Sequence, residues 1–179
     1  MKVNKVNHVY IEDNHGIQSK RLEKHLYAQA IESLIVVCAD ILIINKKKKL
    51  IYLAERSVKP MKGFWSIGGR RFVGDTLVES VRNNFLRETS VNINMEKFEY
   101  ICTKEVIWKD RKEEPQDFGK HDLIQFFYVE LDFEELKKAS RNLCKSEYSQ
   151  KGLVSFDRNK IKDYNIHPIM VEIYDKIFP

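Results

Sequence analysis

GFWSIGGRRFVGDTLVESVRNNFLRETSV, residues 63–91, holds two adjacent glycines, two arginines directly after them, a Gly-Asp turn and then a run with helical spacing. Leu77, Val78, Val81 and Phe85 fall on one apolar stripe, and Asp75 or Thr76 can cap its start, so the spacing predicts a helix that ends in Arg-Glu-Thr-Ser. Arg82, Asn83, Asn84, Arg87 and Glu88 lie largely off that stripe. Asn84 and Glu88 are four apart and share a face, as do Asn83 and Arg87. Glycine lets the preceding backbone approach a ligand closely. A glycine-rich loop feeding a helix with a carboxylate at its far end reads as a cradle for phosphate and metal.

Outward from this stretch, the order of elements sets the fold class. Residues 1–16 are polar and suit a short strand or a loose arm, and residues 18–32 read as a helix. Residues 34–45, LIVVCADILIIN, form a nearly continuous apolar run, the mark of a strand buried on both faces. Asp40 interrupts it, either as a paired structural acid or as a functional one. Lys46–Lys49 reads as a hairpin tip, returning through a strand at residues 50–54 to Arg56. That guanidinium stands at the sheet's rim, for a surface ion pair or for a ligand. Beyond the central helix come a strand at 98–108, a charged, lid-like loop at 109–120 and a strong strand at 121–131. A short amphipathic helix at 133–141, a polar loop at 142–151 containing Glu147, a strand at 152–156 and a closing helix at 166–178 complete the chain. Strands, one central helix, more strands and a terminal helix predict an α+β fold, an α/β/α sandwich. One domain over residues 1–179 is expected, with an arm and helix at 1–32 and the core at 33–178.

Composition narrows the classes. With 43% hydrophobic residues and ten phenylalanines among 179 residues, the chain can bury a full core. A net charge of +5 suits an anionic small molecule. No basic helix interleaved with aromatics points to nucleic acid. No apolar run reaches membrane length. Cys38, Cys102 and Cys144 are odd in number and widely spaced, matching neither a zinc pattern nor a disulfide framework, so a reducing cytoplasm is the expected setting.

Laid on Gly69, the stretch resembles the signature of the Nudix hydrolases: G, five residues, E, seven residues, R-E, an aliphatic, any residue, E-E, any residue, G, an aliphatic. Asp75 stands for the first acid, Asn83-Asn84 for Arg-Glu, Phe85 for the aliphatic, Arg87-Glu88 for Glu-Glu, Ser90 for the glycine, and Val91 closes the motif. Of the three helix carboxylates that usually hold magnesium or activate water, Glu88 alone is present. The resemblance implies the Nudix fold over about residues 33–178, with the signature helix packed against mixed sheets.

A narrower resemblance, to the GDP-mannose mannosyl hydrolases within that superfamily, accounts for the reduced acid set. That family keeps only the final glutamate. It is similar to this chain at Asp40 in CADILIIN, Arg56 in LAER, the GFW and Gly-Gly-Arg70 elements, Glu88, and Asn165-Ile166-His167. It implies hydrolysis of a nucleoside diphosphate sugar at the anomeric carbon, releasing hexose and nucleoside diphosphate. A diphosphate leaving group needs its charge neutralised above all. The resemblance therefore implies magnesium, or manganese in its place, held by the Gly69 carbonyl, Glu88 and Glu147. Arg56 and Arg70 would grip phosphate oxygens as planar forks, with Arg71 and Arg87 as lesser candidates. Asp40, Arg70 and Glu147 are the catalytic candidates, and Asp40 and His121, which aligns with a histidine of the family, join the arginines in substrate binding. The family's Gln-His base pair falls on Tyr148-Ser149; with a one-residue loop shift, Glu147 or Gln150 could serve as metal ligand and Glu147 as base. Such enzymes are often homodimers, and the helix at 18–32 offers a face for a partner copy.

Two functions of different class follow. One is a magnesium-dependent hydrolase of a GDP-mannose-like sugar nucleotide. The other is a Nudix-fold module that binds a nucleotide or sugar nucleotide without turning it over. Pyrophosphohydrolysis of a nucleoside diphosphate derivative is a third reading, against which the missing helix carboxylates weigh.

Overall fold

The structure, a computed structural model, describes Ile17, residues 20–164 and residues 166–179. The expected arm at 1–16, the first two residues of the expected helix at 18–32, and Asn165 lie outside the described residues. The elements are α1 (Lys24–Ala30), β1 (Val36–Asn45), β2 (Leu50–Arg56), β3 (Gly63–Trp65), β4 (Ile67–Arg70) and α2 (Leu77–Thr89), then β5 (Glu99–Trp108), β6 (Lys120–Glu130), α3 (Phe133–Arg141), β7 (Tyr148–Phe156), α4 (Arg158–Asp163) and α5 (Pro168–Ile177). The seven strands make one mixed sheet with helices on both faces, the α+β sandwich that the element order predicts.

β1 organises the layers. It runs parallel to β6 and antiparallel to β2 and β4. Successive strand side chains point to opposite faces, and here both faces are covered. Ala39, Ile41 and Ile43 pack with Leu77, Val81 and Phe85 of α2, while Cys38, Leu42 and Ile44 join the core that holds Met170 and Ile173 of α5. This two-sided burial is why the run reads as continuously apolar. In α2, Thr76 and Glu79 form a reciprocal capping box, and Ser90 ends the helix in the left-handed region. Val78, expected on the buried stripe, is exposed instead.

The edge of β1 is shared. β4 pairs with Cys38–Ile41, and β2 takes over at Ile43–Asn45. β2 then diverges to pair with β3 and β7. Gly68 sits at this junction because only hydrogen fits there: a Cβ would stand 2.3 Å from Asp40 Oδ1 and 2.6 Å from the Ala39 carbonyl oxygen.

Several expectations need correction. The first helix covers only Lys24–Ala30, because Leu22 and Leu26 stay exposed and the apolar residues make no packed stripe. β7 begins at Tyr148, inside the expected polar loop, recruited by pairing with β2. GFW and IGGR are strands, and α4 occupies a stretch where no element was expected. The loop between β5 and β6 is pinned rather than lid-like: the fully buried Arg111 guanidinium donates to the carbonyls of Glu113, Glu114 and Pro115 and to Glu32 at 2.6 Å. Among the described residues, no helix is long and apolar enough to cross a membrane, and the three cysteines are unpaired.

Candidate functional site

A cleft of about 1170 Å³ follows the junction where β4 and β2 share β1. The glycine pair, the C-terminal turn of α2, the start of β6, α1 and the 109–119 loop all contribute to its lining. Asp40, Arg56, Gly69, Arg70, Glu88 and Glu147 all line it, so the fold brings these six sequence candidates to one place. His121 does not line it. Its Nε2 lies 2.8 Å from Glu105 Oε1, beside the sheet edge and away from the cleft, because its neighbours Lys120 and Asp122 take the inward-facing positions of the alternating strand. Arg71 is structural: it donates to Gln125, Ser80 and the Asp75 carbonyl.

The α2 wall differs most from expectation. Arg87 folds back over its own helix. Its Nε donates to Glu88 Oε1 at 2.8 Å, its Nη1 to Asn84 Oδ1 at 2.8 Å, and its Nη2 reaches the Gly68 carbonyl at 3.5 Å. The Asn84 amide meanwhile donates to the Gly69 carbonyl at 2.8 Å and the Ala39 carbonyl at 3.1 Å. Asn84 and Glu88 are buried, and burial pushes the Glu88 carboxyl up while the Arg87 charge opposes it.

Opposite lies an ion-pair group. Glu147 Oε1 is 2.7 Å from Lys112 Nζ, and its Oε2 is 3.4 Å from Arg56 Nη2. Both carboxylate oxygens of the expected base and metal ligand are therefore already engaged. Tyr148 is buried beside Glu88 in the cleft, while the Ser149 hydroxyl points away to Glu55.

Two tryptophan–aspartate pairs line the sheet side of the cleft. Asp40 Oδ2 accepts from Trp65 Nε1 and Ser66 Oγ, both at 2.8 Å. Asp122 Oδ2 accepts from Trp108 Nε1 at 2.7 Å and pairs with Lys120 Nζ at 2.9 Å, and its Oδ1 has no partner among the described residues. Burial, the largest single influence, would lower Lys120, but the Asp122 charge and hydrogen bond together with Cys38 and Tyr27 hold the ammonium above its ordinary value. Burial pushes the Asp40 carboxyl up to about 6, against the Ser66 and Trp65 donors. A folded pKa above the unfolded one means the native state holds the proton more tightly. For this group, stability therefore rises by about 2 kcal/mol as pH falls from about 6 toward about 4. Asp40→Asn is expected to flatten that slope, which urea unfolding of both proteins at about pH 4.5 and pH 7 checks directly.

At the α1 side, the Arg70 guanidinium lies 4.0 Å from the Tyr27 ring centroid and 5.1 Å from that of Phe72, with Arg21 also over Phe72. Arg70 has no carboxylate partner among the described residues, so its charge is held by aromatic faces and remains open to an anion. His167 caps α5 and packs on Trp65 and Trp108, a supporting position behind the cleft. Sequence reasoning missed Tyr27, Lys112, Trp108 and Asp122. The alternation at Lys120-His121-Asp122 was the available signal for Asp122, since it puts the histidine and the aspartate on opposite faces.

The residues do not fit the expected magnesium or manganese ion. The Gly69 carbonyl is taken by Asn84, Glu147 is held between two cations, and a guanidinium takes Glu88 Oε1, while the buried Glu88 Oε2 has no partner among the described residues. Among the described residues, no three His, Cys, Asp or Glu side chains are grouped to hold a metal ion.

No protein-family model matches the chain, and no curated protein matches it in sequence. Solved structures match it in fold. A MutT Nudix hydrolase from Burkholderia pseudomallei gives a TM-score of 0.61 at 14% identity, over 80% of this chain and 98% of its own. The Nudix domain of Shewanella oneidensis NrtR, complexed with ADP ribose, gives 0.54 at 11% identity, over 85% of this chain and 98% of that domain. The Ap4A hydrolase of C. elegans gives 0.50 at 10% identity, over 80% and 96% of the two chains. With its mixed sheet, its capped helix after the glycine pair and its cleft at the β1 junction, the chain has the fold of the Nudix hydrolases.

Proposed function

We propose that this cleft binds a nucleoside diphosphate derivative, a sugar nucleotide being the closest chemical fit, and holds it without turnover. The observation that carries the reading is the set of guanidinium groups of Arg56, Arg70 and Arg87 lining one cleft beside the glycine pair. Planar guanidinium forks suit phosphate oxygens. Asp40 and Asp122, which line the cleft, place carboxylates beside it on the sheet side, where a sugar or base would bring donor groups. A Nudix domain complexed with ADP ribose is one instance of this fold holding such a ligand. Against turnover stand the single helix carboxylate and the doubly paired Glu147.

The second reading is hydrolysis of a GDP-mannose-like sugar nucleotide at the anomeric carbon, acting through the chain's own arginines. Asp40 favours it, as a cleft carboxylate whose pKa is raised toward neutrality, the range a general base needs.

A panel of nucleoside diphosphate sugars, each with chelator and with magnesium, tests both readings by thermal unfolding and product separation. The expected result is a rise in Tm with at least one ligand and intact ligand recovered. Ligand at about 100 times its Kd stabilises a fold by about 2.7 kcal/mol. Free hexose with nucleoside diphosphate would replace the first reading by the second. Sugar phosphate with nucleoside monophosphate, or stabilisation by none of the panel, would contradict both.

A further inference from the structure

We infer that Arg87 is a built-in cation that stands in for the divalent metal of this fold and offers its remaining N–H groups to the ligand's diphosphate. The ligand clause rests on the proposed function, whereas the metal clause does not. The guanidinium contacts the three kinds of oxygen from which a metal site at this helix would be built: the last helix carboxylate, the side chain one turn earlier, and a carbonyl of the glycine pair. Local charge points the same way. Carboxylates at positions 84, 87 and 88 would carry three negative charges within little more than one helical turn and would need a cation between them. Asn84, Arg87 and Glu88 together are neutral, so this wall needs no added cation for charge balance, and Arg87 answers one of the two Glu88 oxygens. Asn84 completes the exchange: its oxygen accepts from Arg87, and its amide ties down the Ala39 carbonyl and the Gly69 carbonyl, the latter the expected metal ligand.

Geometry leaves the cation something to give. A guanidinium has five N–H donors, and the three bonds to Glu88, Asn84 and Gly68 leave two of them. The side chain is 35% exposed and lines the cleft. A fixed, half-covered guanidinium over a glycine-lined wall can neutralise a diphosphate oxygen as a metal does. Unlike a metal, it exchanges with nothing and activates no water. A Cβ at Gly69 would stand 2.9 Å from Arg87 Nη2, so the glycine also makes room for this side chain.

The test uses Mn²⁺ alone, followed by the loss of its free-ion paramagnetic resonance signal, on the full chain without nucleotide. Wild type is expected to leave millimolar Mn²⁺ free. Asn84→Glu with Arg87→Glu restores the acid spacing and is expected to gain one site at least about tenfold tighter than anything in wild type. Tight Mn²⁺ uptake by wild type that Glu88→Gln abolishes would overturn the inference, and this arm decides the matter if the double variant does not fold. The ligand clause is read separately in chelator: Arg87→Gln is expected to weaken nucleoside diphosphate binding about tenfold, with an unchanged circular dichroism spectrum. Unchanged affinity would overturn that clause. Absence of nucleotide binding by wild type would remove the proposed function and the ligand clause together, and leave the metal result standing.

Discussion

Arg111→Met is expected to cost about 2–3 kcal/mol of stability, because a buried guanidinium loses its charge-assisted hydrogen bonds while Glu32, 40% exposed, is left to water. The arginine is fully buried, and its guanidinium is the centre around which the 109–119 loop closes. Three successive backbone carbonyls, of Glu113, Glu114 and Pro115, accept from it, and Glu32 after α1 is paired to it at 2.6 Å. Methionine fills similar length but donates nothing, so the carbonyls lose their charged donor and turn to water from their solvent side. Because the arginine ties the loop to the end of α1, and both line the cleft, the damage spreads to the site. Urea unfolding measures the first effect as a lower midpoint with the slope retained. Hydrogen exchange at residues 111–118 measures the second as lost protection. A variant as stable as wild type would show that the clamp is not a structural element.

Gly68→Ala is expected to cost about 3 kcal/mol, at the upper end of what overpacking usually does. The added methyl would sit 2.3 Å from Asp40 Oδ1, 2.6 Å from the Ala39 carbonyl oxygen and 2.7 Å from Asp40 Cα. The side-chain atom can move, whereas the two backbone atoms belong to β1, the most buried strand of the sheet. Relief comes only by pulling β4 off β1, which breaks the Asp40–Gly68 and Ala39–Gly69 register and moves the glycine wall of the cleft. A double-mutant cycle separates the causes. Asp40→Ala removes the 2.3 Å clash alone, so Gly68→Ala is expected to remain costly in that background. Full rescue there would mean that the carboxylate, and not the backbone, sets the glycine requirement.

Much of this fold is legible in the sequence because its main elements obey local rules. β1 announces itself through a long apolar run, since both faces are covered. α2 does so through a cap, a stripe and a left-handed stop at Ser90. The Lys46–Lys49 turn follows from four lysines between two strands. β3 and β4 were hidden because Gly63, Gly68 and Gly69 carry no β propensity, and pairing partners distant in sequence hold them in place. α4 is six residues long, and its one readable signal was Asp157, which caps it through Asn159 and Lys160.

The site divides in the same way. Residues at strand ends and beside the glycine pair reach the cleft by topology, so Arg56 could be placed from its strand end, and Gly69 and Arg70 from the resemblance at the glycine pair. The direction of a long helix side chain could not. Spacing put Arg87 on a face with Asn83, but the guanidinium turns instead to its neighbour Glu88 and back one turn to Asn84. Those contacts, rather than the number of missing carboxylates, speak against a metal at this wall. Lys112 escaped because its part in the site depends on Arg111 folding the loop inward.

The most direct measurement is a calorimetric titration of the sugar nucleotide that most stabilises the protein, once in chelator and once in magnesium. The account predicts one binding site per chain in both, with Kd values within about threefold of each other and the ligand recovered intact. Binding that appears only with magnesium, and is lost in Glu88→Gln, would contradict it.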